Sequence, residues 1–292
     1  LFPCFIYSLK LHLIMKRLLL YTIKRTLTNP ATLGWGILFV LFWGVLGAYV
    51  EGPRLIHQVP SSQQHTAYLQ YTSTWYAILV ILSLSSMATS IAYTLSYQTG
   101  TLPYLIRYSK LKTSTFFTSL YSGNLIASII LELIITAATA LMFSYNGVGI
   151  TANPSNIGIL ILAIVLGSLF LSSLASLLNL IMIKLHAFRL QNLFNYIPLI
   201  LGFLAFTIFT YVAINSPAVY YSIPYMAIEI LLYKGYFGSF KFANAVSTGI
   251  NLHLSIGLLA LSTVAWIAIL NLINYVLARK MYYANIEEGR TM

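Results

Sequence analysis

Hydrophobic residues along the 292-residue chain gather into six long blocks separated by shorter polar intervals. The blocks lie near Leu33–Val50, Trp75–Ser96, Phe117–Phe143, Ile157–Ile183, Tyr196–Asn215 and Leu252–Ala278. Each is close to the roughly 20 helical residues that a hydrocarbon core demands, and well beyond the length of a buried strand. The pattern predicts an all-α polytopic membrane protein with six transmembrane helices. Asn29-Pro30 stands before the first block and Asn153-Pro154 before the fourth; in each pair Asn can cap while Pro takes the first helical position. Between the last two blocks lies a semi-apolar outer segment, residues 217–251, rich in Tyr and Gly. Within it Ile223–Lys234 is apolar enough for a short helix dipping into the outer leaflet, with Glu229 and several Tyr at the interface. It is too short to span.

A helix is also predicted ahead of the first span, from about Leu9 to Leu27. Lys10, Arg17 and Lys24 recur every seven residues and so share one narrow stripe, with Arg25 beside it. Leu11, Met15, Leu18, Leu19 and Ile23 spread over the other side, as in a helix along the inner membrane surface. Lys16 breaks the pattern, and a basic flank that only enforces orientation is the alternative. The chain thus divides into a basic segment, 1–29, with an amphipathic interface helix, and a six-span domain, 30–292. Met15-Lys16-Arg17 resembles a natural start, so the beginning is either Leu1 or Met15. The first span lacks a cleavage-like end and reads as uncleaved.

Composition supports lipid as the solvent: 59% of residues are hydrophobic and 7% charged, against about 25% charged in a soluble domain. The net charge of +11 is a map of topology. With the N-terminus inside, thirteen of the sixteen Lys and Arg fall in inner segments, and only Arg54, Lys234 and Lys241 fall outside. The positive-inside rule then places both termini in the cytoplasm and the chain in the cytoplasmic membrane. The charges form no single basic face, which argues against nucleic acid as a partner. The five acids are all Glu, and Asp is absent, which excludes paired-Asp metal chemistry and an Asp-based Walker B strand. Cys4 stands alone, and the scattered His residues form no H-x-x-x-H, so no metal site is expected.

After the second span comes Tyr97-Gln-Thr-Gly-Thr-Leu-Pro-Tyr-Leu-Ile-Arg-Tyr-Ser-Lys-Leu-Lys112. This stretch resembles the corresponding loop of type-2 ABC exporter permeases, the membrane subunits of ATP-binding cassette transporters. Gly100-Thr101-Leu102 matches the loop's start, Tyr104-Leu105-Ile106 its apolar turn, and Lys112 its basic position. Gln98 and Pro103 stand where that family usually carries acidic residues. The order of an inner-surface helix, six spans, a basic first inner loop and a long semi-apolar outer loop extends the resemblance along nearly the whole chain.

The resemblance implies a short cytoplasmic coupling helix seated on a separate ATP-binding subunit. Gly100, Thr101, Leu102, Tyr104, Leu105, Arg107, Lys110 and Lys112 are its candidate contacts; the three cations either meet acids on the partner or serve only as positive-inside flanks. It also implies a second permease copy or a paralogue, a translocation path between the two, and second and fifth spans along that path. No P-loop is present in the chain, so work must come from outside. The chain itself is expected to be no enzyme and to hold no cofactor, ATP and Mg belonging to the partner.

Polar residues inside the spans are the remaining candidates. Ser83, Ser86, Ser90 and Thr94 share one face of the second span, either lining a path or bonding to neighbouring helices. Ser168, Ser172 and Ser176 form a small-residue stripe for close packing. Phe203, Phe206 and Thr210 share a face of the fifth span. Glu132 lies near the middle of the third span, where an ionised carboxylate facing lipid is costly, so it is expected to face the bundle interior as a functional or a structural carboxyl; no Lys or Arg lies at matching depth to pair with it. Two other classes stay open: an intramembrane enzyme acting on lipid-linked substrates, which needs a convergent set of reactive groups, and a structural membrane assembly subunit. Copurification of a Walker-type ATPase separates them.

Overall fold

The computed structural model describes residues 2–98, 113–212, 214–242, 250–251 and 253–282. Six of its helices are long and apolar enough to cross a membrane. They are the first span Thr32–Gln58, the second Gln64–Gln98, the third Thr113–Ser144, the fourth Ile157–Lys184, the fifth Gln191–Tyr211 and the sixth Ile256–Tyr282. The protein is therefore an all-α polytopic membrane protein, as the hydrophobic blocks predict. The only strands among the described residues form a short antiparallel ladder that pairs Lys241 with Asn251 and Phe242 with Ile250.

The N-terminal helix runs from Phe2 to Thr28, beginning before the predicted Leu9. It packs chiefly along the third span. Arg17 and Lys24 stay exposed, as their shared stripe requires, while Leu18, Leu19 and Thr22 are half-buried and Thr26 is buried. Asn29 then caps the first span: its Oδ1 accepts from the Ala31 amide at 2.9 Å, and its carbonyl accepts from Leu33 at 3.0 Å.

The first span is not a uniform α-helix. Wider π-helical stretches, Thr32–Leu38 and Leu46–Glu51, alternate with α-helical Phe39–Val45 and Gly52–Gln58. The sequence explains why. Buried positions Thr32, Gly36, Val40, Gly44, Ala48 and Gly52 recur every four residues. In a pure α-helix that stripe would drift about 40° at each step. The wider π turns take up the drift and keep the small residues on one side, where the span meets the second.

The second span is the hub. It packs against the first, third, fourth and fifth spans, and 89% of its apolar stretch is buried, against 17% for the sixth span. Peripheral spans carry their large apolar side chains outward, including Leu133 and Ile134 of the third and Leu261 and Leu272 of the sixth. That is the arrangement lipid requires.

After the fifth span a short helix, Pro217–Ser222, leads into a buried helix, Pro224–Phe237. This buried helix corrects the expectation of an interfacial element. It packs against the second and fourth spans and also touches the fifth and sixth, and every residue from Pro224 to Tyr233 is buried. Apolarity alone cannot separate a lipid-facing helix from a protein-covered one; a helix apolar all round belongs in an interior. Its C-terminus is closed by Gly238 at φ 92°, whose amide donates to the Lys234 carbonyl at 2.8 Å. The Gly235 and Tyr236 carbonyls accept from the Asn156 and Ser155 amides at 2.8 and 2.9 Å. One helix end thereby satisfies groups at the start of another. The fourth span is capped by Asn156, whose Oδ1 accepts from Ile159 at 3.1 Å. The predicted cap, Asn153, lies too far upstream, because the chain first bonds across to the buried helix.

Candidate functional site

Polar side chains inside the bundle fall into three groups arranged around the second span. At its basic end, Asn179 of the fourth span donates to Ser96 at 2.7 Å, and Ser96 donates to Asn195 of the fifth span at 3.1 Å. Two turns deeper, in the fourth span, Asn124 of the third donates to Ser172 at 2.8 Å, while Ser168 donates to Ser128 at 3.0 Å. The sixth span joins through Asn271, which donates to Ser173 Oγ at 2.9 Å, and Asn274, which donates to the Ser173 carbonyl at 2.8 Å. The stripe of Ser168, Ser172 and Ser176 is thus a bonding seam between the third and fourth spans, and Ser173 beside it bonds the sixth.

Glu132 forms the second group. It is fully buried, and Ser83 of the second span faces it, short of hydrogen-bonding geometry with either carboxylate oxygen. Tyr76 and Thr136 share a hydrogen bond of 2.9 Å nearby, and Thr136 donates to the Glu132 backbone carbonyl at 2.6 Å. No Lys or Arg pairs with Glu132 among the described residues.

Glu229 is the centre of the third group and was not legible as a site. It is fully buried on the buried helix, its oxygens unpartnered among the described residues. Tyr220 and Tyr225 lie within electrostatic reach of it. Burial holds its carboxyl well above the ordinary carboxylate range. Burial first, and the Glu229 charge second, pushes the Tyr220 phenol up to about 12. Tyr225 donates to the Pro198 carbonyl at 3.2 Å, tying the buried helix to the fifth span.

Ser83 and Ser85 are two residues apart, hence about 200° apart around their helix. Ser83 looks toward Glu132, and Ser85 toward the fifth span and Tyr225. Glu132 with Ser83, and Tyr225 with Ser85, therefore meet the second span on different sides.

The path candidates are distributed as follows. The second-span face is covered within the chain: Ser86 meets Gly36 of the first span, Ser90 accepts from Asn29, and Thr94 lines a cleft beside the N-terminal helix. In the fifth span Phe203 meets Phe39 of the first span edge-on, with centroids 6.1 Å apart, Phe206 contacts Tyr211, and Thr210 Oγ1 is buried without a bond. Ser83 and Glu132 are brought together; the fifth-span residues form a separate face. The coupling candidates Gly100, Thr101, Leu102, Tyr104, Leu105, Arg107, Lys110 and Lys112 lie outside the described residues.

No family model, no curated protein and no solved structure matches the chain.

Proposed function

We propose that this protein is the membrane-spanning subunit of an ABC exporter. Two copies, or one copy and a paralogue, enclose the translocation path, and separate ATP-binding subunits dock on the segment after the second span. The observation that carries the reading is the position of that segment on the chain. It follows directly from Gln98, the end of the second span, and leads into Thr113, the start of the third. The second span is the most buried of the six and touches four other spans and the buried helix. A rigid helix packed on so many neighbours carries a push at its end into the whole bundle, which is what a subunit without its own ATPase needs. Arg107, Lys110 and Lys112 supply charge for an acidic partner, and ATP and Mg are held by that partner.

The two buried carboxyls, facing different neighbours, give no support to acid–base catalysis within the membrane. The test is purification of the full chain from its native membrane in mild detergent. A stoichiometric Walker-type ATPase should copurify, and Arg107→Glu combined with Lys110→Glu and Lys112→Glu should release it. A chain that purifies alone, with no ATPase encoded beside it, overturns the reading.

A further inference from the structure

The fifth span is unevenly held along its length. From Pro198 onward it is fixed to the core. Gly202 lies against Ser85 of the second span, where an added Cβ would meet Ser85 Oγ at 2.5 Å. Tyr225 of the buried helix donates to the Pro198 carbonyl at 3.2 Å, and Ala205 and Phe209 are buried. Between Gln191 and Ile197, by contrast, Asn195 is the one buried residue, and Asn192, Leu193 and Tyr196 are exposed.

The side-chain bonds that tie this first stretch to the end of the second span are long for O–H···O bonds. Ser96 donates to Asn195 Oδ1 at 3.1 Å, and Tyr93 donates to Asn192 Oδ1 at 3.4 Å. The Ser96 hydroxyl is also shared, because its Oγ donates to the Ala92 carbonyl at 2.9 Å and it has a single hydrogen. Asn195 Nδ2 is buried with no partner among the described residues. Asn179 of the fourth span, in contrast, reaches Ser96 at 2.7 Å. The second and fourth spans grip each other here, and the fifth is the loosely held member.

Both ends of the stretch are built to pivot. Pro198 lies inside the helix and has no amide hydrogen for the Phe194 carbonyl, so the helix lacks a rung where its free and fixed parts meet. At the other end the chain leaves the fourth span through His186, a non-glycine residue at φ 52°. That left-handed conformation is one that a Cβ disfavours.

We propose that Gln191–Ile197 is a hinged flap over the basic end of the second span, swinging about Pro198 while the rest of the fifth span stays on Ser85. Opening breaks the Ser96–Asn195 bond and releases Asn195 Nδ2 to water, while Asn179 keeps Ser96 with the fourth span. The unpartnered amide penalises the closed state, which brings the two states close in free energy. The open flap uncovers Ser96, Asn179 and Asn195 beside the segment that follows Gln98. In the exporter proposed above, this polar mouth is the gate on the ATPase side; the hinge itself does not depend on that reading.

Distances between spin labels on the purified full chain test the hinge without any transport assay. In a Cys4→Ser background one label is placed at Leu272 of the sixth span and the other at Leu193 or Leu204 of the fifth, all three exposed. Two distances are expected from Leu193→Cys and one from Leu204→Cys. Ser96→Ala should raise the open-to-closed ratio at Leu193 about fivefold, and Ser96→Thr, which keeps the hydroxyl, should leave it near the wild-type value. Pro198→Ala restores the missing rung and should merge the two distances into one. If Ser96→Ala does not fold, the comparison of Leu193 with Leu204 in the otherwise unaltered chain still decides the matter. A single narrow distance at Leu193, equal breadth at Leu193 and Leu204, or two distances that persist in Pro198→Ala each overturns the proposal.

Discussion

Gly202 of the fifth span lies directly on Ser85 of the second: a Cβ added to Gly202 would stand 2.5 Å from Ser85 Oγ and 2.8 Å from Ser85 Cβ. Ser85 Cβ belongs to the rigid root of its side chain, so relief requires the helices to part. Here the fifth span, with only a third of its apolar stretch buried, is held to the hub. Gly202→Leu should therefore cost about 1–3 kcal/mol and lower the melting temperature in detergent by several degrees. Ser85→Gly in the same chain should recover much of the loss. Absence of any loss in Gly202→Leu would show that the two spans do not approach so closely.

Asn124 carries the seam between the third and fourth spans through its bond to Ser172 at 2.8 Å. Interhelical hydrogen bonds in membranes contribute about 0.6–2 kcal/mol. Asn124→Leu should fall in that range, with thermal unfolding followed by tryptophan fluorescence. Ser172 also donates to the Ser168 carbonyl at 2.6 Å, so Ser172→Ala loses both bonds and should be at least as damaging. A smaller effect for Ser172→Ala than for Asn124→Leu would mean that Asn124 acts through packing or through its longer bond to Ser168 at 3.5 Å.

The spans were legible because lipid imposes a long, nearly uncharged run of residues. The serine stripe of the fourth span was legible because small residues at helical spacing mark close packing. The burial of Pro224–Phe237 was not, since hydropathy scores Ile228 or Leu231 alike whether lipid or protein covers them. For the same reason Glu229 looked interfacial: a carboxyl near several Tyr residues in a semi-apolar loop matches an interface pattern. The π-helical winding of the first span did leave a trace in the four-residue spacing of Thr32, Gly36, Val40 and Gly44, a period that lies between helix types. What the second-span serines touch was hidden, because one polar stripe serves an open path and a covered seam equally well.

Glu229 gives a pH prediction with a definite sign. Its carboxyl is raised above the unperturbed 4.5 by burial, so the folded chain binds more protons than the unfolded chain above that pH. Stability contributed by this group therefore falls as pH rises from about 4.5 through the folded value. Melting temperatures from about pH 5 to about pH 8 should drop more steeply in the wild type than in Glu229→Gln, whose side chain does not titrate. Identical slopes would place Glu229 in contact with water or a cation.

Glu132 and Ser83 face one another across the second and third spans, yet neither carboxylate oxygen nor the Ser83 hydroxyl has a hydrogen-bond partner among the described residues. A buried polar group without partners costs about 1–3 kcal/mol, and replacing it by an apolar group of like volume removes the cost without breaking a bond. Glu132→Leu should therefore melt at or above the wild-type temperature, and Glu132→Gln close to it. Ser83→Ala should change little, since the Thr136 bonds to Tyr76 and to the Glu132 carbonyl do not involve it. Under the proposed exporter function, a transport measurement on the same variants then separates the two roles of the carboxyl. Stability kept with transport lost assigns Glu132 to the transport cycle, because a variant that folds as well as the wild type can fail only by lacking the carboxyl itself. Stability kept with transport kept removes the functional role. A marked drop in the melting temperature of Glu132→Leu would show that the oxygens are engaged after all.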